Sequence, residues 1–543
     1  MSNEQKPKTK RNKWLIMALT VVAIAVISGT AYAVLKESNP MVMYMTAQKN
    51  TIDDQFERME EYTEDQREFM ERQQNEAHKS DATLTMGMDT QGQQLRQMAP
   101  QLPLIQGVLS SAQLDLTGKV NPETKEVYGE MDLQIQGNSI ANGNFYQNED
   151  TFAAQAPFVY EDYFTLPNDK LGAFLAKMGD PTASEETSIP LIADYLESQV
   201  TAEESEEIIE DYVTTLGKEL TEAEFSLEQG AEYEGENYDK VTMKISEEKA
   251  QEMMVTLLEK LKNDERIQDI LNEQMELQED LATAPGGVDQ FQKDLDEIIE
   301  SIDKLQFPDG ITMESYIKDD LIAHQTWDMA IQPQDEQEVA IDVASDYMKE
   351  SEQKYVSTFD VTVKPEEDEG TLTFSYEEKG QPNDEGLHVD YSLGLKGESA
   401  PESFNAGVVI NTDYTEKGSK SQFDVTLEGP MFEQQPVPSI SGFYNTMLEE
   451  GSDNAYENDV NFGLDLSMEN PMMGDMAAGL EFTLDQTITF TDDLEFPEWT
   501  EENSVPLMET TNEELEQIGA DIEQNFQEHI NSLMGGLGGL GGF

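Results

Sequence analysis

The chain contains no cysteine. That excludes disulfides, thiolate metal sites, cysteine nucleophiles and lipidation at a lipobox. Positive charge is scarce: 33 Lys and Arg stand against 112 Asp and Glu, a net charge of −79. Nucleic acid and anionic surfaces repel such a chain, so no nucleic-acid partner is expected. The acids are spread along the whole length, which reads as a solvating surface suited to high salt. Histidine is almost missing as well. His78, His324, His388 and His529 fall in separate elements, and none belongs to an H-E-x-x-H pair. No G-x-S-x-G, S-x-x-K or Walker loop is present, and no D-x-[DN]-x-[DN]-G calcium loop. The expectation is therefore a non-enzymatic protein without catalytic residues, metal ligands or cofactor.

Two weaker clusters point the same way. Asp453, Asn454, Asn458 and Asp459 match no calcium-loop spacing. Met468, Met472, Met473 and Met476 would suit Cu(I) as thioethers, but no histidine accompanies them, and adaptable packing explains them better.

Long apolar runs are also rare, with one exception. Trp14–Leu35, WLIMALTVVAIAVISGTAYAVL, holds no charged residue and no Asn or Gln. At 1.5 Å per residue it is long enough to cross a bilayer core. Lys6, Lys8, Lys10, Arg11 and Lys13 precede it, which predicts a cytoplasmic N-terminus and an extracellular remainder. The expectation is a single-pass anchor in the cell membrane. A second reading stays open, because Ala31-Tyr32-Ala33 also suits signal-peptide cleavage after Ala33, which would secrete the chain.

Beyond the anchor, periodicity predicts a helix over Met41–His78, free as a stalk or packed, then alternating strands such as ATLTMGMDT and EMDLQIQ. Helical patterns follow between 171 and 305, with Ser246 as N-cap of a long amphipathic helix or helix pair over Glu247–Glu279. Strand patterns return from Leu321, and a last helix covers Asn512–Met534. The division expected is 1–13 basic tail, 14–35 transmembrane helix, 36–80 helix, 81–310 β-meander with helical block, 311–500 second β-rich region and 501–543 C-terminal helix with Gly-rich tail. The fold class expected is α+β: large curved antiparallel sheets packed with long amphipathic helices behind the transmembrane helix.

One stretch suggests a binding surface. FYQNEDTFAAQAPFVYEDYF carries Phe145, Tyr146, Phe152, Phe158, Tyr160, Tyr163 and Phe164 around a proline. These read either as a packed strand edge or as the mouth of an apolar groove.

The anchor followed by NPMVMYMTAQKNTIDDQF, with GNFYQNEDTFAAQAPFVYEDYFTLPND and YDKVTMKISEEKAQEMMVTLLEKLKNDERIQDIL, resembles a family of uncharacterised single-pass membrane-anchored proteins of Bacillota. A wide antiparallel sheet covered by helices is similar to the LolA/LppX-like half-barrels of lipoprotein carriers. That likeness implies a groove between sheet and helices for a lipid, lipoprotein or envelope partner. The alternative is a structural or interaction protein of the cell envelope with a filled core, and a carboxylate-based hydrolase comes third.

Overall fold

The structure is a computed structural model. It describes residues 39–537 except 92–100, 181–183, 185–186, 198–201, 272–286, 303, 334–336, 366–369, 385, 399–402, 434–436, 453, 469–475 and 501. Strand dominates. The twenty-one strands are β1 (His78–Gln91), β2 (Ala112–Asn121), β3 (Glu126–Ile135), β4 (Asn138–Gln147), β5 (Thr151–Ala156), β6 (Tyr160–Pro167), β7 (Glu224–Tyr233), β8 (Glu236–Ile245), β9 (Leu305–Gln306), β10 (Ile311–Lys318) and β11 (Leu321–Pro333), followed by β12 (Val339–Ser351), β13 (Lys354–Pro365), β14 (Thr371–Pro382), β15 (Leu387–Glu398), β16 (Phe404–Thr415), β17 (Gly418–Glu428), β18 (Ser439–Glu450), β19 (Ala455–Met468), β20 (Met476–Phe490) and β21 (Ser504–Pro506). The longer helices are α1 (Pro40–Asn75), α2 (Leu102–Leu109), α3 (Ala202–Glu219), α4 (Glu247–Asn263), α5 (Gly287–Ile302) and α6 (Asn512–Leu537).

The expected fold class needs correction. The described residues are chiefly one extensive 21-stranded sheet, not helices and sheets in balance. Among the described residues no helix is long and apolar enough to cross a membrane. The physical reason is visible in α1, whose 36 residues carry acids or bases on nearly every turn. The expected transmembrane helix, Trp14–Leu35, lies outside the described residues, as does the Gly-rich end from 538. The single-pass placement in the cell membrane is corrected with it, since no described helix could serve as the anchor.

The chain divides into two compact units: 1–63, 200–416 and 422–439 form the first, and 64–199, 417–421 and 440–543 the second. In the first unit the strands run antiparallel in the order β7-β8-β10-β11-β12-β13-β14-β15-β16. In the second the order is β19-β20-β1-β2-β3-β4-β5-β6, with β21 added in parallel to β6.

Local chemistry sets these ladders. Gln136 and Gly137 both have positive φ, as do Glu234 and Gly235, and Asp319 and Asp320. Such pairs build the primed turns whose twist matches antiparallel strands, so β3–β4, β7–β8 and β10–β11 close as tight hairpins. Ser246 caps α4 by accepting from the Lys249 amide at 3.4 Å, as the sequence predicts. Of the two readings, the described residues show the pair: α4 ends at Asn263, and a second helical segment runs over 265–271. Asp264 is extended, and its carboxylate accepts from the Arg266 amide at 3.2 Å and from the Arg266 guanidinium at 2.9 Å, which starts a new turn instead.

The main core lies in the first unit. Met253 and Met254 of α4, Leu295, Ile298 and Ile302 of α5 and Tyr44 of α1 close over Met243, Met313, Trp327 and Ile341. Each such side chain contributes roughly 1.5–3 kcal/mol on burial. Gln325 is a polar side chain buried beside this core. Its amide donates to the Ser315 hydroxyl at 3.1 Å and the Tyr44 hydroxyl at 3.3 Å, so the group is satisfied without water.

Candidate functional site

In a β-ladder, side chains of paired residues share a face, so the registers read out as rows. One row of the first unit is Phe225–Met243–Met313–Trp327–Val343–Val361–Phe374–Leu395–Ala406. Its exposure is graded. Met313 is 0% exposed, Trp327 1% and Val361 3%, but Phe374 is 37% and Leu395 39% exposed. The next row, Phe359–Tyr376–Leu393–Val408, reaches 38% at Leu393. The first strands lie under α4 and α5, and from β14 onward the apolar face is open.

Helix α1 seals only one margin of that face. Its Asp54 accepts from Tyr347 and Lys349, and Arg58 stacks 3.4 Å over the Tyr355 ring. Tyr62 closes on Leu387 and Val389. Burial alone would raise the Asp54 pKa. The hydrogen bonds from Lys349 and Tyr347 and the nearby charge of Arg58 outweigh it, and the carboxyl sits below its ordinary range.

The second unit repeats the theme with another ladder. Val460–Leu484–Leu84–Leu114–Leu133–Ala141 forms one unbroken apolar row across six strands. Phe462–Phe482–Met86 and Leu464–Leu480–Met88 lie beside it. None of these side chains is buried, and all are part-exposed. Where an aromatic does cap the face it is close-packed. Phe69 of α1 sits in a cluster with Leu448, Ile488 and Phe490.

The opposite face of the same strands is acidic. Asp459–Asp485–Thr83–Asp115–Asp132 is one row, and Glu457–Thr487–Asp81–Thr117–Glu130 the next. A shallow cleft of about 520 Å³ opens among Asp81, Asp115, Glu457, Asp459 and Asp485. Thr83 and Thr117 each donate at 2.9 Å, to Asp115 and Asp81. Desolvation, then the charges of Asp485 and Glu457, raise the Asp459 pKa. Among the described residues no group of side chains is arranged to hold a metal ion. Asp453, Met472 and Met473 lie outside those residues.

The seven predicted aromatics do not form one mouth. Pairing puts Phe145, Phe152 and Phe164 on the apolar face, and Tyr146 and Tyr163 on the other. Phe145 stacks on Phe152 at 6.2 Å and lies over Gly129, where an added Cβ would meet the ring at 2.3 Å. Tyr160 stacks on Phe164 at 5.1 Å, and Phe158 approaches His529 of α6 at 5.4 Å. Tyr146 and Tyr163 instead pack on Trp499. Burial, then the carboxylate of Glu126 that accepts its hydroxyl, pushes the Tyr146 pKa up to about 12. The leucine rows were missed in the sequence. Alternation marks each strand, but only the register between residue 84 and residue 484 joins them into a surface.

No family model matches the chain, and no curated protein does. Solved structures that align with it include a Rh. blastica porin mutant, 5% identical over 75% of this chain and 99% of that one, at a TM-score of 0.19. Pseudomonas aeruginosa OccK2 aligns at 5% identity over 76% and 96%, with a TM-score of 0.18. A TodX monoaromatic hydrocarbon channel mutant aligns at 7% identity over 77% and 91%, with a TM-score of 0.17. At such scores these likenesses carry no argument about fold or cargo. The resemblance drawn from sequence is corrected: no family model matches, and the solved structures that align are porins and channels rather than LolA/LppX-like carriers. Under α4 and α5 of the first unit, side chains of the main core pack against the sheet.

Proposed function

We propose that the protein is a non-enzymatic binder of elongated apolar molecules, lipid acyl chains in particular, held along the uncovered sheet faces. The observation that carries this is the row Val460–Leu484–Leu84–Leu114–Leu133–Ala141, apolar at every position and part-exposed throughout. A continuous apolar face that stays in water is costly, and in soluble proteins it marks a binding surface. Strands lie about 4.8 Å apart, so a six-strand row measures about 24 Å. One leaflet of a bilayer core is about 15 Å thick, so the row accommodates an extended acyl chain with room to spare. Carboxylates cover the reverse face, so the ligand has one place to lie.

Native mass spectrometry of the full chain extracted from membranes tests this. Acyl lipid should accompany the protein, and Leu84→Glu with Leu484→Glu should remove most of it. Both proteins share residues 14–35, so lipid held by that apolar stretch cancels in the comparison. Equal lipid in both proteins would defeat the proposal and leave a structural or interaction role for the envelope as the better reading.

A further inference from the structure

We propose that α2 and its flanks form a contact with a phospholipid bilayer surface, through which the open sheet face of the second unit takes its acyl chains. Helix α2, LPLIQGVL, buries none of its residues. Leu104 is 67% exposed and Ile105 42%. It is the one described helix without a charged residue. Other exposed helices carry carboxylates, as α6 does at Glu513, Glu514 and Glu516. Water gives no reason for α2 to be different.

The charge pattern around α2 says what it faces. No Asp or Glu occurs between Asp89 and Asp115, the longest acid-free run after Glu37 in a chain with 112 acids. A bilayer containing anionic lipid repels carboxylates brought within a Debye length, about 8 Å at physiological salt. A chain of net charge −79 can approach such a surface only where acids are missing. Leu104 and Ile105 supply apolar side chains at that place. Gln101, Gln106, Ser110 and Ser111 supply neutral polar groups fit for the headgroup layer.

The position of α2 links this contact to the apolar face. The helix packs against β1, and the Gln136 amide donates to the Ser111 carbonyl at 3.0 Å, which fastens its C-terminal end to the β3–β4 turn. Its place is therefore the sheet end at which Met86 and Met88 pair with Phe482 and Leu480. An acyl chain leaving the bilayer at α2 meets those side chains first. This route rests on the acyl-chain reading above; the bilayer contact itself does not.

The absence of native cysteine allows a single-site label. The full chain carrying Leu104→Cys is labelled with an environment-sensitive fluorophore and mixed with vesicles of phosphatidylethanolamine and phosphatidylglycerol. Thr487→Cys, on the acidic face, is the control. Binding alone is not the readout, because residues 14–35 are apolar enough to adhere to lipid; depth is. The label at 104 should brighten roughly two-fold or more and be quenched by doxyl-labelled lipid, while the label at 487 stays unchanged. A label at 104 that doxyl lipid does not quench overturns the proposal. So does one already shielded without vesicles, which would point to a protein partner. In a second measurement, Leu104→Asp with Ile105→Asp should slow uptake of a fluorescent phospholipid from vesicles about ten-fold, yet spare uptake of a soluble short-chain analogue. Loss of both uptakes in Leu84→Glu/Leu484→Glu alone separates a failed port from a failed binding face. Unchanged vesicle uptake in the α2 variant would overturn the port.

Discussion

The two ends of the β7–β16 ladder are made of similar residues and have opposite fates. At one end Met243, Met313 and Trp327 are sealed under α4 and α5; at the other Phe374, Leu393 and Leu395 keep more than a third of their surface in water. Strand composition does not separate the ends. The number of helices does. A sheet face becomes core only when something is laid on it; α4 and α5 cover the early strands, and α1 closes only a margin of the later ones. The comparison teaches that an apolar face can be a stability device and a binding device within one ladder.

The largest expected contrast comes from truncation. Trp327→Ala, in the sealed end, should cost about 3–5 kcal/mol in denaturant unfolding. Leu395→Ala, in the open end, should cost about 1 kcal/mol or less, since part of its surface is already hydrated. Equal losses would mean that the open end is covered in solution, and the comparison would fail.

Next in size is the margin held by α1. Arg58 is a cation lying over Tyr355, with Glu378 at 3.9 Å. Tyr355 and Tyr376 both donate to Glu378, at 2.5 and 2.8 Å. Arg58→Gln leaves that carboxylate without its cation and should lower stability by about 2 kcal/mol. Tyr355→Phe in the Arg58→Gln background should then cost less than it does alone, the mark of a coupled network in a double-mutant cycle. Additive losses would show that the margin closes by packing only.

A smaller effect, read by pH, lies on the other face of β15. His388 sits between Asp413 at 2.8 Å and Asp390 at 3.0 Å. The hydrogen bond to Asp413, then desolvation working against it, then the bond to Asp390 leave its pKa raised above the ordinary imidazole value. A raised pKa means the folded state holds the proton more tightly. The stabilisation is complete below the unfolded value of about 6.5 and is lost as pH rises through the folded value. Because the ring is partly exposed, the gain should stay under about 1 kcal/mol. His388→Gln should therefore flatten the fall in melting temperature between mildly acidic and mildly alkaline pH, and a fall of the same size in the variant would remove His388 as its source.

The smallest shift concerns the acidic face. Asp459→Asn removes a carboxylate that desolvation and its neighbours Asp485 and Glu457 hold above the usual range. The variant should melt slightly higher at low salt, by a few tenths of a kcal/mol, and identically to the parent near molar salt, where screening shortens to about 3 Å. A gain that persists at high salt would assign the effect to packing instead.

Much of the local structure was legible. Alternation in ATLTMGMDT and EMDLQIQ became β1 and β3, and the α1 periodicity became a 36-residue helix. The candidate site was legible only in part. Phe145, Phe152 and Phe164 do line the apolar face, but Tyr146 and Tyr163 turn away from it, because neighbours in a strand point to opposite sides. Which alternating strands would be covered was not readable at all. Helix patterns between 171 and 305 announce amphipathic faces, yet nothing in them names β8–β12 as the surface they meet.

What the sequence determines by itself is therefore short-range: strand alternation, the Ser246 cap, the hairpin turns, the acid-free run around α2 and the overwhelming negative charge. Each follows from chemistry within a few residues, or from a sum over all of them. Tertiary structure decides the rest. Leu84 meets Leu484 across four hundred intervening positions, and the ladder that joins them fixes which side of every strand is apolar. A one-residue slip would exchange the two faces, so that choice belongs to the register of the assembled sheet and to no strand alone.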